Sequence, residues 1–130
     1  MTEFDTRQKV REGPAVERRN IPLDHLHITA TTIGTAQELF TVRGRVFLEI
    51  TQLAIANLTS LSAKISLHTV PPGGSIGITN AEFIDLDVPA NTILDVSDNI
   101  QGLYKQGTVA YVYADTTAAF NIHGKAEEGL

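Results

Sequence analysis

"SLHTVPPGGSIG" (Ser66–Gly77) joins a run of alternating apolar and polar residues to two prolines and two glycines. Its reading decides the fold. A phosphate-binding glycine loop sits between a strand and a helix, whose first amides face the anion. Here the loop continues as Ile76-Gly77-Ile78-Thr79-Asn80, with no Lys-Ser/Thr pair and no helical spacing. Pro71 and Pro72 fix φ, and Gly73 and Gly74 tolerate positive φ, so the stretch marks the end of a strand.

The same period of two runs outward in both directions. In "LHITATTI" Leu26, Ile28 and Ala30 alternate with His27, Thr29 and Thr31. "ELFTV" (38–42) follows a Gly34-Thr35 turn. "RVFLEITQLAIAN" places Val46, Leu48 and Ile50 on one face, then Leu53 and Ile55 on the opposite parity, which requires a bulge or a change of sheet. "AKISLHTV" turns Ala63, Ile65 and Leu67 inward and Lys64, Ser66 and His68 outward. "FIDLDV" turns Ile84, Leu86 and Val88 inward against Asp85 and Asp87, and "TILDV", "GTVAYVYA" and "AAFNIHG" follow. About eight short strands, with turns every 8–12 residues and no amphipathic helix, predict an all-β antiparallel sandwich of jelly-roll type.

Residues 1–22 differ from the rest. Phe4, Val10, Val16 and Ile21 stand isolated among charges, and Gly13-Pro14 and Ile21-Pro22 interrupt any regular element. The division expected is an extended N-terminal arm over 1–22 and a sandwich domain over 23–130. The arm holds Arg7, Lys9, Arg11, Arg18 and Arg19 against Glu3, Asp5, Glu12 and Glu17; the chain as a whole carries a net charge of −5. The acidic remainder repels phosphate backbones, which argues against nucleic acid as a partner. The charged start has no apolar core of a secretory signal, and no apolar stretch reaches the ~20 residues that cross a bilayer, so no membrane partner is expected.

Candidate chemistry is sparse. With no cysteine there is no thiolate zinc site and no cysteine nucleophile. His25 and His27 form an H-x-H pair, with His68 and His123 elsewhere, but a metal needs three or four ligands brought together. Asp85 and Asp87 share a strand, unlike carboxylates facing each other across a cleft. "DVSDNIQG" (95–102) has the composition of a calcium loop without its closing glutamate. Asn57-Leu58-Thr59 matches a glycosylation sequon. No nucleophile motif occurs. The expectation is a protein that is not an enzyme and uses no metal or cofactor. Tyr104, Tyr111 and Tyr113 are candidates for packing or for contact between subunits.

The order "ELFTVRGR", "FLEITQLAIANLTS", "AKISLHTVPPGGS", "FIDLDVPANTILDV" and "GTVAYVYA…NIHGKAEE", over residues 26–128, resembles a group of small virion structural proteins of tailed bacteriophages, the capsid decoration or cement-like group. "TVRGR" stands where that group has Val-Pro-Ala-Gly. The resemblance implies a β-sandwich attached to the outer head shell, with the major capsid protein as partner and a homo-oligomer, commonly a trimer, as its state. It also implies a protein made in the host cytoplasm and carried on the virion. The arm then becomes the docking element, through Phe4, Arg7, Val10, Arg11, Val16, Arg18, Arg19 and Ile21. The alternative is a tail, baseplate or head-fibre module that binds host surface glycan.

Overall fold

The structure is a computed structural model, and it describes residues 18–43, 47–115 and 120–129. Nine strands form two antiparallel sheets. In chain order they are β1 (Arg18–Ile28), β2 (Gln37–Thr41), β3 (Phe47–Asn57), β4 (Ala63–Val70), β5 (Ala81–Val88), β6 (Thr92–Asp95), β7 (Leu103–Lys105), β8 (Val109–Ala114) and β9 (Phe120–Gly129). One sheet runs β1-β9-β3-β6, with β7 also paired to β3; the other runs β2-β8-β4-β5. Leaving aside the short β7, first pairs with last, second with next to last, third with sixth and fourth with fifth. A long hairpin rolled on itself makes these pairs, which is the jelly roll that the turn spacing predicts.

The core lies between the sheets. It is built from Ile28, Phe40, Leu53, Ile55, Ile65, Leu67, Val88, Val112, Phe120 and Ile122, among others. β8 shows the simplest pattern, burying Ala110, Val112 and Ala114 and half-exposing Val109, Tyr111 and Tyr113. β4, held between β8 and β5, is buried on both faces from Ile65 onward.

The parity change in β3 is a bulge. Ile50 pairs with Ala126 and Gln52 with Lys125, so Thr51 is the extra residue. Both Thr51 and Gln52 are exposed, and burial resumes at Leu53. β6 pairs with the half of β3 after the bulge and β7 with the half before it. Between them, the Leu53 N–H donates to Ser97 Oγ (3.0 Å), Val96 N–H to Leu53 O (2.9 Å) and Ile50 N–H to Gly102 O (2.7 Å). The 3-10 turn Ser97–Asn99 thus supplies partners where the ladder lapses.

Three expectations need correction. β1 begins at Arg18, and Arg18, Arg19 and Ile21 pair with Gly129, Glu128 and Ala126. The last part of the expected arm is therefore strand backbone; its partner lies about a hundred residues away, so no local periodicity announces it. Phe4, Arg7, Val10, Arg11 and Val16, with Val46, lie outside the described residues. Ile84 points to solvent instead of the core, because β5 bulges: Leu86 pairs with Ile65 but Phe83 with Leu67. Asp85 takes the extra position at φ 53° and its N–H donates to Ser66 Oγ (2.9 Å). β7, with three residues, is too short to carry a period.

Gly124 sits in the centre of β9, opposite Leu23 on one side and Leu53 on the other. A Cβ there would collide with the Gln52 carbonyl, which is backbone and cannot swing away. Gly34, by contrast, has open space around it and no positive φ. Gly124→Ala is expected to cost about 3 kcal/mol or more in urea unfolding, or to prevent folding, whereas Gly34→Ala stays within about 1 kcal/mol of wild type.

Candidate functional site

A groove of about 560 Å³ opens between the free edges of the two sheets. β7 and the start of β3 contribute Phe47, Leu103, Tyr104 and Lys105. The end of β4 and the loop after it contribute Thr69, Pro71, Thr79 and Asn80. Ala81 and Glu82 begin β5, and Gln101 and Thr108 flank β7. Within the described residues, β5 is paired only with β4 and β7 only with β3, so two unpaired strand edges border the opening.

Glu82 ties the walls together. One carboxylate oxygen accepts from Thr69 Oγ1 (2.6 Å); the other accepts from the Gln101 N–H (2.6 Å) and the Tyr104 hydroxyl (3.3 Å). The Tyr104 oxygen in turn accepts from the Gly102 N–H (3.2 Å). Thr69 belongs to one sheet and Tyr104 to the other, so the carboxylate clasps the sandwich at this edge. Tyr104 itself is buried, with its ring 5.7 Å from Phe40. Of the two roles expected for it, packing or subunit contact, the ring takes the first within its own chain, filling the core. Burial pushes the phenol above its ordinary range, and the adjoining Glu82 charge adds to that.

The proline-glycine loop does more than end β4. It returns as the 3-10 turn Ile78–Asn80 over the outer face of the sheet. There it roofs His68, which is wholly buried despite its outward parity. His68 Nδ1 lies 2.9 Å from Gly77 O and 3.3 Å from Asn80 Oδ1. Both partners are acceptors, so Nδ1 carries the proton and Nε2 accepts from the Tyr113 hydroxyl (3.4 Å). The two rings stack at 5.7 Å. Asn80 locks the loop by accepting from the Gly77 N–H (3.1 Å) and donating to Ser75 O (2.8 Å). Tyr113 is thereby engaged within its own chain, while Tyr111 is half-exposed on the same strand.

The other candidates serve the fold. Asn57 is buried and holds the β3–β4 turn, donating to Leu61 O and Val88 O and accepting from Thr59, so the sequon is a structural turn. Asp95 accepts from Ser97 N–H and Oγ (2.9 and 2.6 Å), which holds its carboxyl below the usual range. Among the described residues no three His, Cys, Asp or Glu side chains come together for a metal. The side chains of His25 and His27 lie outside the description.

No family model matches the chain. No curated protein matches it either. Among solved structures it is similar to a chain of infectious bursal virus derived T=1 particles, at 11% identity and a TM-score of 0.47, over 85% of this chain and 31% of the other. The present chain thus spans about a third of the length of that protein.

The Glu82–Tyr104 clasp has a pH signature. The pKa of the Tyr104 phenol is raised in the folded state, so its stabilisation is complete below the ordinary phenol pKa of about 10 and is lost as pH rises above it. Tyr104→Phe is expected to cost about 1–2 kcal/mol at neutral pH by stranding the Gly102 N–H. It should also flatten the loss of stability between pH 9 and about 11, as read by urea unfolding at each pH.

Proposed function

We propose that the protein is a virion structural component, a capsid decoration protein held on the outer head shell. A jelly roll hosts many functions, so the fold alone decides nothing. The observation that favours this reading is what lies along its free edge. The strands and turn bordering that edge expose Ile78, Ile84, Ile93 and Leu103, with Ile93 at 69% and Ile78 at 79% of full exposure. Edge strands with uncovered apolar side chains invite association, and closed rings of identical subunits cover such edges by symmetry. A clasped, bulged sandwich with its core complete needs no partner to fold, so these side chains are left for contact between molecules.

On this reading the protein forms a homo-oligomer, a trimer, through the β5–β6–β7 edge, and binds the major capsid protein through the residues before β1. Phe4, Val10 and Val16 supply apolar anchors, and Arg7 and Arg11 pair with carboxylates on the shell. Several weak anchors repeated in each subunit give avidity without one large interface.

Light scattering is expected to give three times the 14.1 kDa chain mass for the wild type. The doubly substituted Ile84→Asp/Ile93→Asp protein should remain folded and monomeric. A wild-type monomer at high concentration contradicts the oligomer. Capsids lacking the protein are expected to co-sediment the intact chain and to leave a form without residues 1–17 in the supernatant. Binding by neither form would overturn the decoration reading, and equal binding would remove the arm from it.

A further inference from the structure

The groove between β5 and β7 contains polar groups that the fold does not use. Thr108 is only 5% exposed and lines the opening. Its N–H donates to Lys105 O (3.2 Å) and its C=O accepts from the Val42 N–H (2.8 Å), but its hydroxyl makes no hydrogen bond among the described residues. A buried hydroxyl without a protein partner destabilises the free protein, and such groups are few in folded proteins and mark places where water, an ion or a ligand supplies the missing bond. The Lys105 ammonium, the Gln101 side-chain amide and the Thr79 hydroxyl also line the groove without a partner among the described residues. Glu82 is different, because Thr69, Gln101 and Tyr104 already occupy its carboxylate.

We propose that this groove binds a saccharide carrying a carboxylate. Lys105 is the one cation lining the groove among the described residues, and it suits one negative charge. A polyanion would need several cations and would meet a chain of net charge −5. The Thr108 and Thr79 hydroxyls and the Gln101 amide both donate and accept, which suits sugar hydroxyls. Phe47, Leu103 and Pro71 supply carbon surface for the C–H face of a pyranose ring. The volume, about 560 Å³, falls within the usual range of small-ligand sites and accommodates two or three sugar units. The clasp made by Glu82 sets the two walls before the ligand arrives, so little ordering accompanies binding. The competing occupant is an extended acidic peptide laid along the unpaired edge of β7. The groove shares the β5–β7 edge with the proposed oligomer contact, and Leu103 lies in both, so the binding test is also run on the Ile84→Asp/Ile93→Asp protein, in which that contact is removed.

The test is an amide-resolved NMR titration of the full chain with trigalacturonic acid, with neutral galactotriose and with an extended Asp- and Phe-containing hexapeptide. Trigalacturonic acid is expected to give saturable shifts at Thr79, Gln101, Lys105 and Thr108, and to bind about tenfold more tightly than the neutral sugar. Lys105→Gln should level the two sugars. Thr108→Val keeps the shape and removes the stranded hydroxyl, so it should raise Tm while weakening the acidic sugar at least about fivefold. A purely structural threonine would shift Tm alone. Unchanged sugar binding in Thr108→Val, no saturable shifts from either sugar, or shifts from the peptide only would each overturn the proposal. Capsid co-sedimentation, measured in parallel, reports on the virion reading, and sugar binding by the Ile84→Asp/Ile93→Asp protein reports on the groove alone.

Discussion

The larger sheet cannot close until the end of the chain lies between its first and third strands. β9 pairs with β1 over Arg18–Ile28 and with β3 over Leu48–Asn57, so the last ten described residues hold both ladders. That demand explains several local choices. Gly124 is glycine because β9 passes so near the Gln52 carbonyl that no side chain fits. Thr51 bulges out of β3 at the same level, and the turn after β6 brings Ser97 and Val96 to the backbone groups around it. Phe120 and Ile122, wholly buried, carry the same strand into the core. Pairings so distant in sequence carry a high closure entropy, so folding of this sandwich is expected to be slow relative to helical domains of its size.

The opposite side of the sandwich is built on other terms. β5, β6 and β7 end the sheets, and what holds them is side-chain chemistry: the Glu82 carboxylate across the gap, Asp95 through Ser97, and Asn57 beneath the β5–β6 turn. Each polar group spent there satisfies backbone that an edge leaves unpaired. The bulge at Asp85 and the carboxylates of Asp85 and Asp87 roughen β5 against indiscriminate strand pairing. The exposed isoleucines along this edge therefore favour a partner of defined shape over open-ended aggregation.

Much of this was legible in the sequence where periodicity is local. The parity switch between Ile50 and Leu53 located the β3 bulge, and the turn spacing gave the jelly roll. The same rule misplaced Ile84, because a bulge marked only by one aspartate shifts the phase without any break in the apolar pattern. His68 obeyed its outward parity yet is buried, since burial there comes from a loop ten residues further on. The groove was not legible at all. Thr69, Glu82, Gln101, Tyr104 and Thr108 come from four separate stretches, and only the packing of two sheet edges brings them together. A glutamate at the head of β5 that faces a Tyr two strands later leaves no spacing to read.

The central claim is that the core is complete in the single chain and that the β5–β6–β7 edge, on the proposed reading, is covered by association between copies. Hydrogen exchange, compared between the wild type and the Ile84→Asp/Ile93→Asp protein, tests it directly. The account predicts that amides of Ile122–Ala126 in β9 exchange slowest in both states, and that amides of β5 and β6 are protected in the wild type and lose that protection in the doubly substituted monomer. Exchange along β5 and β6 that is the same in both states would contradict it.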